Sequence, residues 1–362
     1  MKVFIFLLGL IWSLPGHAGV MGLARYDVMG GEEIVFNRLF LKGHLGASYG
    51  ALSFFGEGFF EANGAAENNP ELRLPNRGYL QESFVELKLD SIFLKAGRFA
   101  NRWSEMWVLP SLDIWTGRRW NRLLMDDFSD QLVHSTGAMA SIVWESGVLD
   151  FNYSSEIAQS EYPEPLPFQL ENEDSEKMGY GLRLKQELGP VGVAVVAAQV
   201  GEKQIGGVAL NVAFEQLVLK SEVGGYQYWR DDYLSVQEPK EDKFVAIGTD
   251  IFVGNFTLTP QMTFFDFGET GFSEGDYQTI IYSGILYSGQ KHELFLQGFF
   301  NSSSEESFVS AEYNFNWNDW LSLGGYVQHF SAEQVGLWSA YKNITGGTAA
   351  GLKITVEGSQ DF

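Results

Sequence analysis

The chain has no cysteine among its 362 residues. That excludes disulfide scaffolds, thiolate metal sites and cysteine nucleophiles. Basic residues are also few: 24 Lys and Arg stand against 46 Asp and Glu, a formal net charge of −22. Phosphate recognition needs basic surface, so nucleic acid is not an expected partner. Beyond the extreme N-terminus there is no long apolar run. The best, Val191–Val200, is ten residues, against about 20 for a spanning helix. Catalytic signatures are missing too: there is no His-Glu-x-x-His, no Gly-x-Ser-x-Gly and no phosphate-binding glycine loop. The histidines His17, His44, His134, His292 and His329 are scattered. His134 and Ser135 are neighbours, which places them on opposite faces of a strand. No catalytic residue, cofactor or metal site is expected. Aromatic residues, at 15%, are too frequent for a disordered chain.

What is present begins with an export signal. Residues 1–18 read MKVFIFLLGLIWSLPGHA: a positive Lys2, an apolar stretch from Val3 to Leu14, then Pro15 and the small residues Gly16 and Ala18. The apolar stretch is too short to span about 30 Å of hydrocarbon. Cleavage after Ala18 leaves residues 19–362 as a single unit.

From about residue 20 onward, short segments alternate with period two rather than 3.6. Met178, Tyr180, Leu182 and Leu184 oppose Gly179, Gly181, Arg183, Lys185 and Glu187. Leu149, Phe151, Tyr153 and Ile157 oppose Asp150, Asn152, Ser154 and Glu156. Phe256, Leu258, Met262 and Phe264 oppose Thr257, Thr259, Gln261 and Thr263; Val309, Ala311, Tyr313, Phe315 and Trp317 oppose Ser310, Glu312, Asn314 and Asn316. Connections alternate as well. Tight turns fall near Gly50, Asp90, Ser146, Gly189, Phe214, Gly254, Gly289 and Asn318, and long polar stretches occupy 64–78, 100–133, 158–176, 230–241, 267–275 and 331–346.

This pattern fits an all-β, transmembrane antiparallel barrel of about 18 strands, with 16 as the alternative. It has short periplasmic turns, long outer loops, and strands that are apolar outside and polar inside. Closure leaves no unpaired edge, and lipid accounts for so many apolar strand faces. A soluble β-sandwich, solenoid or propeller is the competing architecture; no fixed-period repeat favours the last two. Tyr79, Trp144, Tyr226, Tyr228, Trp229, Trp317 and Trp320 sit near expected strand ends, which suits interfacial girdles. At the C-terminus, Ala350, Leu352, Ile354, Val356 and Phe362 share one parity, interrupted by Gly358 and Gln360. A last strand ending in phenylalanine resembles the signal that outer-membrane barrels present to the barrel assembly machinery.

The mature chain resembles a Gram-negative outer-membrane porin-like β-barrel. One stretch adds detail: Leu80–Asp90, then Ser91–Phe99 containing Ala96-Gly97-Arg98, then Trp103. It is similar to the porin hairpin of an acidic-aromatic strand, a tight turn, and an Ala-Gly-Arg strand running into a long loop. The resemblance implies residence in the bacterial cell outer membrane, contact with outer-membrane lipid, and a loop folded into the lumen. General porins are often trimers, so it also implies room for a homo-oligomer.

The loop at 100–133 therefore carries the functional expectation. Five of the eleven arginines lie at 98–122 (Arg98, Arg102, Arg118, Arg119 and Arg122), with Trp103, Trp107, Trp115 and Trp120. Structureless loops of this length are usually functional, and so aromatic a loop is expected to pack inside the barrel. Arginines facing Asp113, Asp126, Asp127 or Asp130 would form a pore constriction with a transverse field. Alternatively these pairs staple a plug to the wall, or contact a ligand outside. Strand parity gives lumen-facing candidates: Glu82, Glu86 and Lys88; Arg183, Lys185 and Glu187; Lys220 and Glu222. The acidic run Glu161, Glu164, Glu171, Glu173, Asp174 and Glu176 matches no calcium-loop spacing and reads as a solvated loop. The expected function is a channel for passive diffusion of small hydrophilic solutes. The alternative is a non-conducting barrel acting as surface adhesin or structural protein.

Overall fold

The computed structural model describes residues 17–31, 35–63, 77–106, 112–113, 115–118, 132–157, 178–201, 203–229, 239–267, 277–302, 304–333, 338, 342–343 and 345–361. The putting together of short two-faced segments yields a closed antiparallel barrel. Its segments in chain order are β1 (His17–Gly31), β2 (Val35–Tyr49), β3 (Leu52–Asn63), β4 (Arg77–Leu89), β5 (Ile92–Phe99), β6 (Thr116–Arg118), β7 (Leu132–Trp144), β8 (Gly147–Glu156), β9 (Gly179–Leu188) and β10 (Val191–Val200). The second half holds β11 (Lys203–Ala213), β12 (Leu217–Trp229), β13 (Pro239–Val253), β14 (Phe256–Leu258), β15 (Gln261–Phe267), β16 (Tyr277–Ser288), β17 (His292–Asn301), β18 (Glu306–Asn318), β19 (Leu321–Ser331) and β20 (Thr348–Asp361).

These segments form 18 staves. β14 and β15 are halves of one stave, since both pair with β13 and with β16. Pro260, which has no N–H to give, lies at the break. β6 is not a stave; among the described residues it pairs with β7 alone. Closure is made by β1, which pairs with β2 on one side and with β20 on the other, Gly19 opposite Asp361 through Gly31 opposite Ala349. No backbone edge is left open at this seam.

The turns at one end are short. Gly50, Gly189 and Gly254 each take the left-handed backbone that tight hairpins require. β1 begins and β20 ends at this end as well, because the number of staves is even. The other end carries the long connections, but also three short ones, at 32–34, 201–202 and 302–305. The strict short–long alternation of the sequence reading missed these three.

The outward face is apolar and open. Val195, Val223, Phe151, Tyr180, Val309 and Leu352 are between 48% and 70% exposed, whereas their strand neighbours Val196, Glu222, Asp150 and Lys353 are between 1% and 9% exposed. In water such a belt would cost about 25 cal/mol for each Å² left uncovered. In hydrocarbon it costs nothing, and the paired backbone needs no solvent. Trp144, Trp317 and Trp320 are exposed beside the short turns, as a girdle requires. Tyr79 and Tyr226 do not serve there: Tyr79 packs edge-on against Phe59 at 3.9 Å, and Tyr226 lies 5.6 Å from Phe244. Both rings face the interior. Ile157 likewise departs from its expected outer face. The ladder slips at Ser155, where Thr136 pairs with Glu156 but Gly137 with Ser154. This bulge reverses the parity and buries Ile157 inside.

Candidate functional site

The described residues of the loop that leaves β5 (100–106, 112–113 and 115–118) lie against the inner side of the barrel wall. Its departure is set at Gly97, the glycine of the Ala-Gly-Arg stretch. Gly97 has φ +131, and a Cβ there would collide with the Ser83 carbonyl oxygen of β4. Only glycine allows this approach. The loop is then stitched near its base. The Ala100 N–H donates to Glu82 at 3.1 Å, and Thr116 Oγ1 donates to the Asn101 carbonyl at 3.1 Å. His134 Nδ1 lies 3.3 Å from Glu82 Oε1. Ser135 Oγ donates to the Trp115 carbonyl, and β6 pairs with β7 from Thr116–His134 to Arg118–Leu132.

Farther out, the loop meets the wall formed by β8 to β13. Arg183 of β9 pairs with Asp150 of β8 at 2.7 Å, and its Nη1 donates to the Arg102 carbonyl at 3.2 Å. Lys185 of β9 pairs with Glu105 at 2.9 Å. Glu222 of β12 accepts from Ser104 Oγ at 2.7 Å, the Glu105 N–H at 2.5 Å and the Met106 N–H at 3.3 Å. All three donors reach one oxygen, Oε1. Within the loop, Arg102 Nε lies 3.4 Å from Asp113 Oδ2, and Arg102 Nη2 donates to the Met106 carbonyl.

An apolar seal lies beneath these polar contacts. Trp103, Leu112 and Trp115 have no exposed surface, and the two indoles meet edge-to-face at 5.2 Å. They pack with Ile157, Ala194, Val196, Ala209 and Phe244. The wall makes room with small residues. A Cβ on Gly181 would stand 2.9 Å from Trp103 Cη2, one on Gly179 would stand 2.9 Å from Trp115 Cζ3, and one on Gly207 would collide with Leu112. The ten-residue apolar run at 191–200 is thus a strand with one face in lipid and the other under this loop.

Of the expected constriction residues, Arg102 and Asp113 are brought together. Arg98 lies on β5, partly buried, with no hydrogen-bond partner at Nε. Arg118 ends β6 and its side chain lies outside the described residues, as do Arg119, Arg122, Asp126, Asp127 and Asp130. The acidic run at 161–176 and Phe362 also fall outside them. Of the lumen-facing candidates, Glu82, Arg183, Lys185 and Glu222 touch the loop. Glu86 pairs with Lys88 at 2.9 Å, Glu187 with Lys185 at 3.4 Å, and Lys220 with Asp250 at 2.5 Å.

Two interior groups escaped the sequence reading. Arg38 of β2 holds Asp27 of β1 at 2.8 Å and approaches Glu61 of β3 at 3.6 Å; Arg25 lies 3.3 Å from the same Asp27. All four are at most 3% exposed. Their signal was charge at alternating positions of the first three strands. The second group is the β19–β20 connection. Trp338 stacks on Phe308 at 5.0 Å, and its backbone N–H donates to Glu306 Oε1 at 3.1 Å. A lone tryptophan in a polar loop was its signal.

No family model and no curated protein matches the chain. Solved structures do. A BenF-like porin from Pseudomonas fluorescens superposes with TM-score 0.62 at 11% identity, over 96% of this chain and 99% of that one. OpdK of Pseudomonas aeruginosa, solved with vanillate, gives 0.59 at 10% identity over 95% and 99%. OccAB4 of Acinetobacter baumannii gives 0.58 at 9% over 96% and 98%. The near-complete mutual coverage at these scores agrees with the closed barrel: the chain has the fold of the outer-membrane porins.

Proposed function

We propose that the chain is a passive channel of the Gram-negative outer membrane, through which small hydrophilic solutes diffuse without bond chemistry or a cofactor. The carrying observation is a closed barrel with an apolar outside and a charged inside, and residues 100–106 of the loop after β5 pack against that inner wall. A structural or adhesive barrel needs no such interior. Eighteen staves leave room for an aqueous path around a folded-in loop. Arg102, Asp113 and Arg183 are the described charges of the constriction, and Arg118, Arg119 and Arg122 extend the same loop. The vanillate found with one neighbour is a small solute of the size this reading takes. Residues 1–18 direct export, the C-terminal strand ending at Phe362 engages the assembly machinery, and the exterior meets lipid or a second copy.

Refolding residues 19–362 in detergent and adding them to a planar bilayer tests the reading. Discrete conductance steps are expected. A folded barrel, recognised by its heat-dependent mobility, that gives no steps would favour the adhesive or structural role instead.

A further inference from the structure

The loop contacts are unevenly distributed, and one wall residue dominates them. Glu222 is 1% exposed, and its Oε1 gathers three donors from three consecutive loop residues. The Ser104 hydroxyl is shared as well, because it accepts from the Met106 N–H at 3.0 Å. Residues 104–106 are thereby folded into a small hook around one carboxylate oxygen. Hydrogen bonds to a charged acceptor are the strong kind, and a buried carboxylate is stable only when so supplied.

The place of this hook matters. The loop leaves the wall at β5, and Glu222 stands on β12. Six stave-to-stave steps separate them around a ring of eighteen: β5, β7, β8, β9, β10, β11, β12. A chord across that arc crosses most of the width of the interior. Among the described residues, the nearer contacts, from Glu82 and β7, fall near the two ends of the loop. The Arg183 and Lys185 contacts lie between, on flexible side chains whose amine or guanidinium can reach elsewhere. Glu222 is the far polar fixing point among the described residues, beside the apolar contact with Phe244 of β13.

We propose that Glu222 is the positioning residue of the constriction: it holds the 104–106 hook against β12, and so sets how far the loop narrows the lumen. The proposal rests on the channel reading for its functional consequence, but not for its geometry. Glu222 need not touch the solute. It acts through Ser104 and the two backbone amides, while the Trp103–Leu112–Trp115 seal keeps the loop down on the wall beside it.

The test uses E222A, E222Q and S104A in the otherwise unchanged chain, each checked for a folded, heat-modifiable barrel. Glutamine keeps a carbonyl oxygen for the amide donors but loses the charge; alanine loses both. Conductance and its noise are the first readout. The second needs no current: the chain has no cysteine, so Leu112→Cys alone reports, by its rate of reaction with a bulky thiol reagent, how often the loop lifts. E222A is expected to raise conductance and add open-state noise. Labelling of Leu112→Cys should quicken about tenfold or more, the factor that losing one net charged hydrogen bond produces. E222Q is expected to restore slow labelling in large part, and S104A to fall between. The proposal is overturned if folded E222A labels and conducts as the parent does. E222Q that labels as fast as E222A assigns the hold to the carboxylate charge and still supports the proposal, whereas E222Q that labels faster than E222A overturns it, because the acceptor would then not be what holds the hook. Should E222A not fold, S104A decides: parent-like labelling overturns the proposal, faster labelling supports it. A parent that labels slowly, responds to E222A, yet passes no current would remove the channel reading while leaving the hook in place.

Discussion

Trp103→Ala separates the loop from the barrel more sharply than any other single change. The indole has no exposed surface and sits between Trp115 and the wall at Gly181. Burying a tryptophan removes roughly 150–250 Å² from water, or about 4–6 kcal/mol at about 25 cal/mol per Å². Truncation to alanine typically costs about 3–5 kcal/mol. The staves do not depend on this ring, since β9 keeps its ladders to β8 and β10. The loss therefore falls on loop docking. At about 1.4 kcal/mol per tenfold, a loss of ~3 kcal/mol multiplies the undocked population more than about a hundredfold. Single-channel recording of the refolded variant should show larger, noisier steps, with the barrel's heat-dependent mobility and strand content retained. A folded W103A with the parent's conductance and noise would refute the reasoning. So would global unfolding, because it would make Trp103 part of the barrel's own support.

Further expectations follow from individual contacts. Val223→Arg places a charge on the lipid face, where Val223 is 52% exposed; urea titration in bilayers should show a loss of about 2–4 kcal/mol, and an unchanged midpoint would contradict the membrane-facing assignment. Gly97→Ala forces a side chain into the Ser83 carbonyl at a φ of +131, which should cost about 1–3 kcal/mol in the same titration. Arg183→Gln removes a cation 2.7 Å from Asp150. Reversal potentials in a salt gradient should then move toward cation preference, with about 1.5–3 kcal/mol lost in stability; a move toward anions would contradict the lumenal placement.

Much of the barrel was legible because a membrane stave repeats the simplest pattern a chain can carry. Leu182 and Arg183, or Phe151 and Asp150, announce their faces by chemistry alone. Parity failed where the ladder slipped, at Ser155, since a bulge turns on backbone geometry that composition does not record. Aromatic residues near strand ends were ambiguous for a related reason. Tyr226 and Trp144 have the same amphipathic chemistry, and only the loop seated against Tyr226's side of the wall distinguishes them. Within the site, Arg102 and Asp113 could be paired by sequence because they share a loop. Glu222 was placed in the lumen but not joined to Ser104, because 118 residues separate them and no local signal spans such a gap. Arg25, Asp27, Arg38 and Glu61 were passed over because each charge is unremarkable alone. Only the register of β1, β2 and β3 assembles them.

The central claim is that one face of every stave touches hydrocarbon while the adjacent residue faces a wet interior. Leu184, 45% exposed, and Lys185, paired with Glu105, are neighbours on β9. In a chain without native cysteine, each can be replaced singly by cysteine, tagged with a fluorophore and placed in vesicles whose acyl chains are brominated. The account predicts strong quenching by the lipid at position 184, and at position 185 weak lipid quenching but quenching by aqueous iodide. Equal quenching by lipid at both positions, or the reverse order, would contradict it.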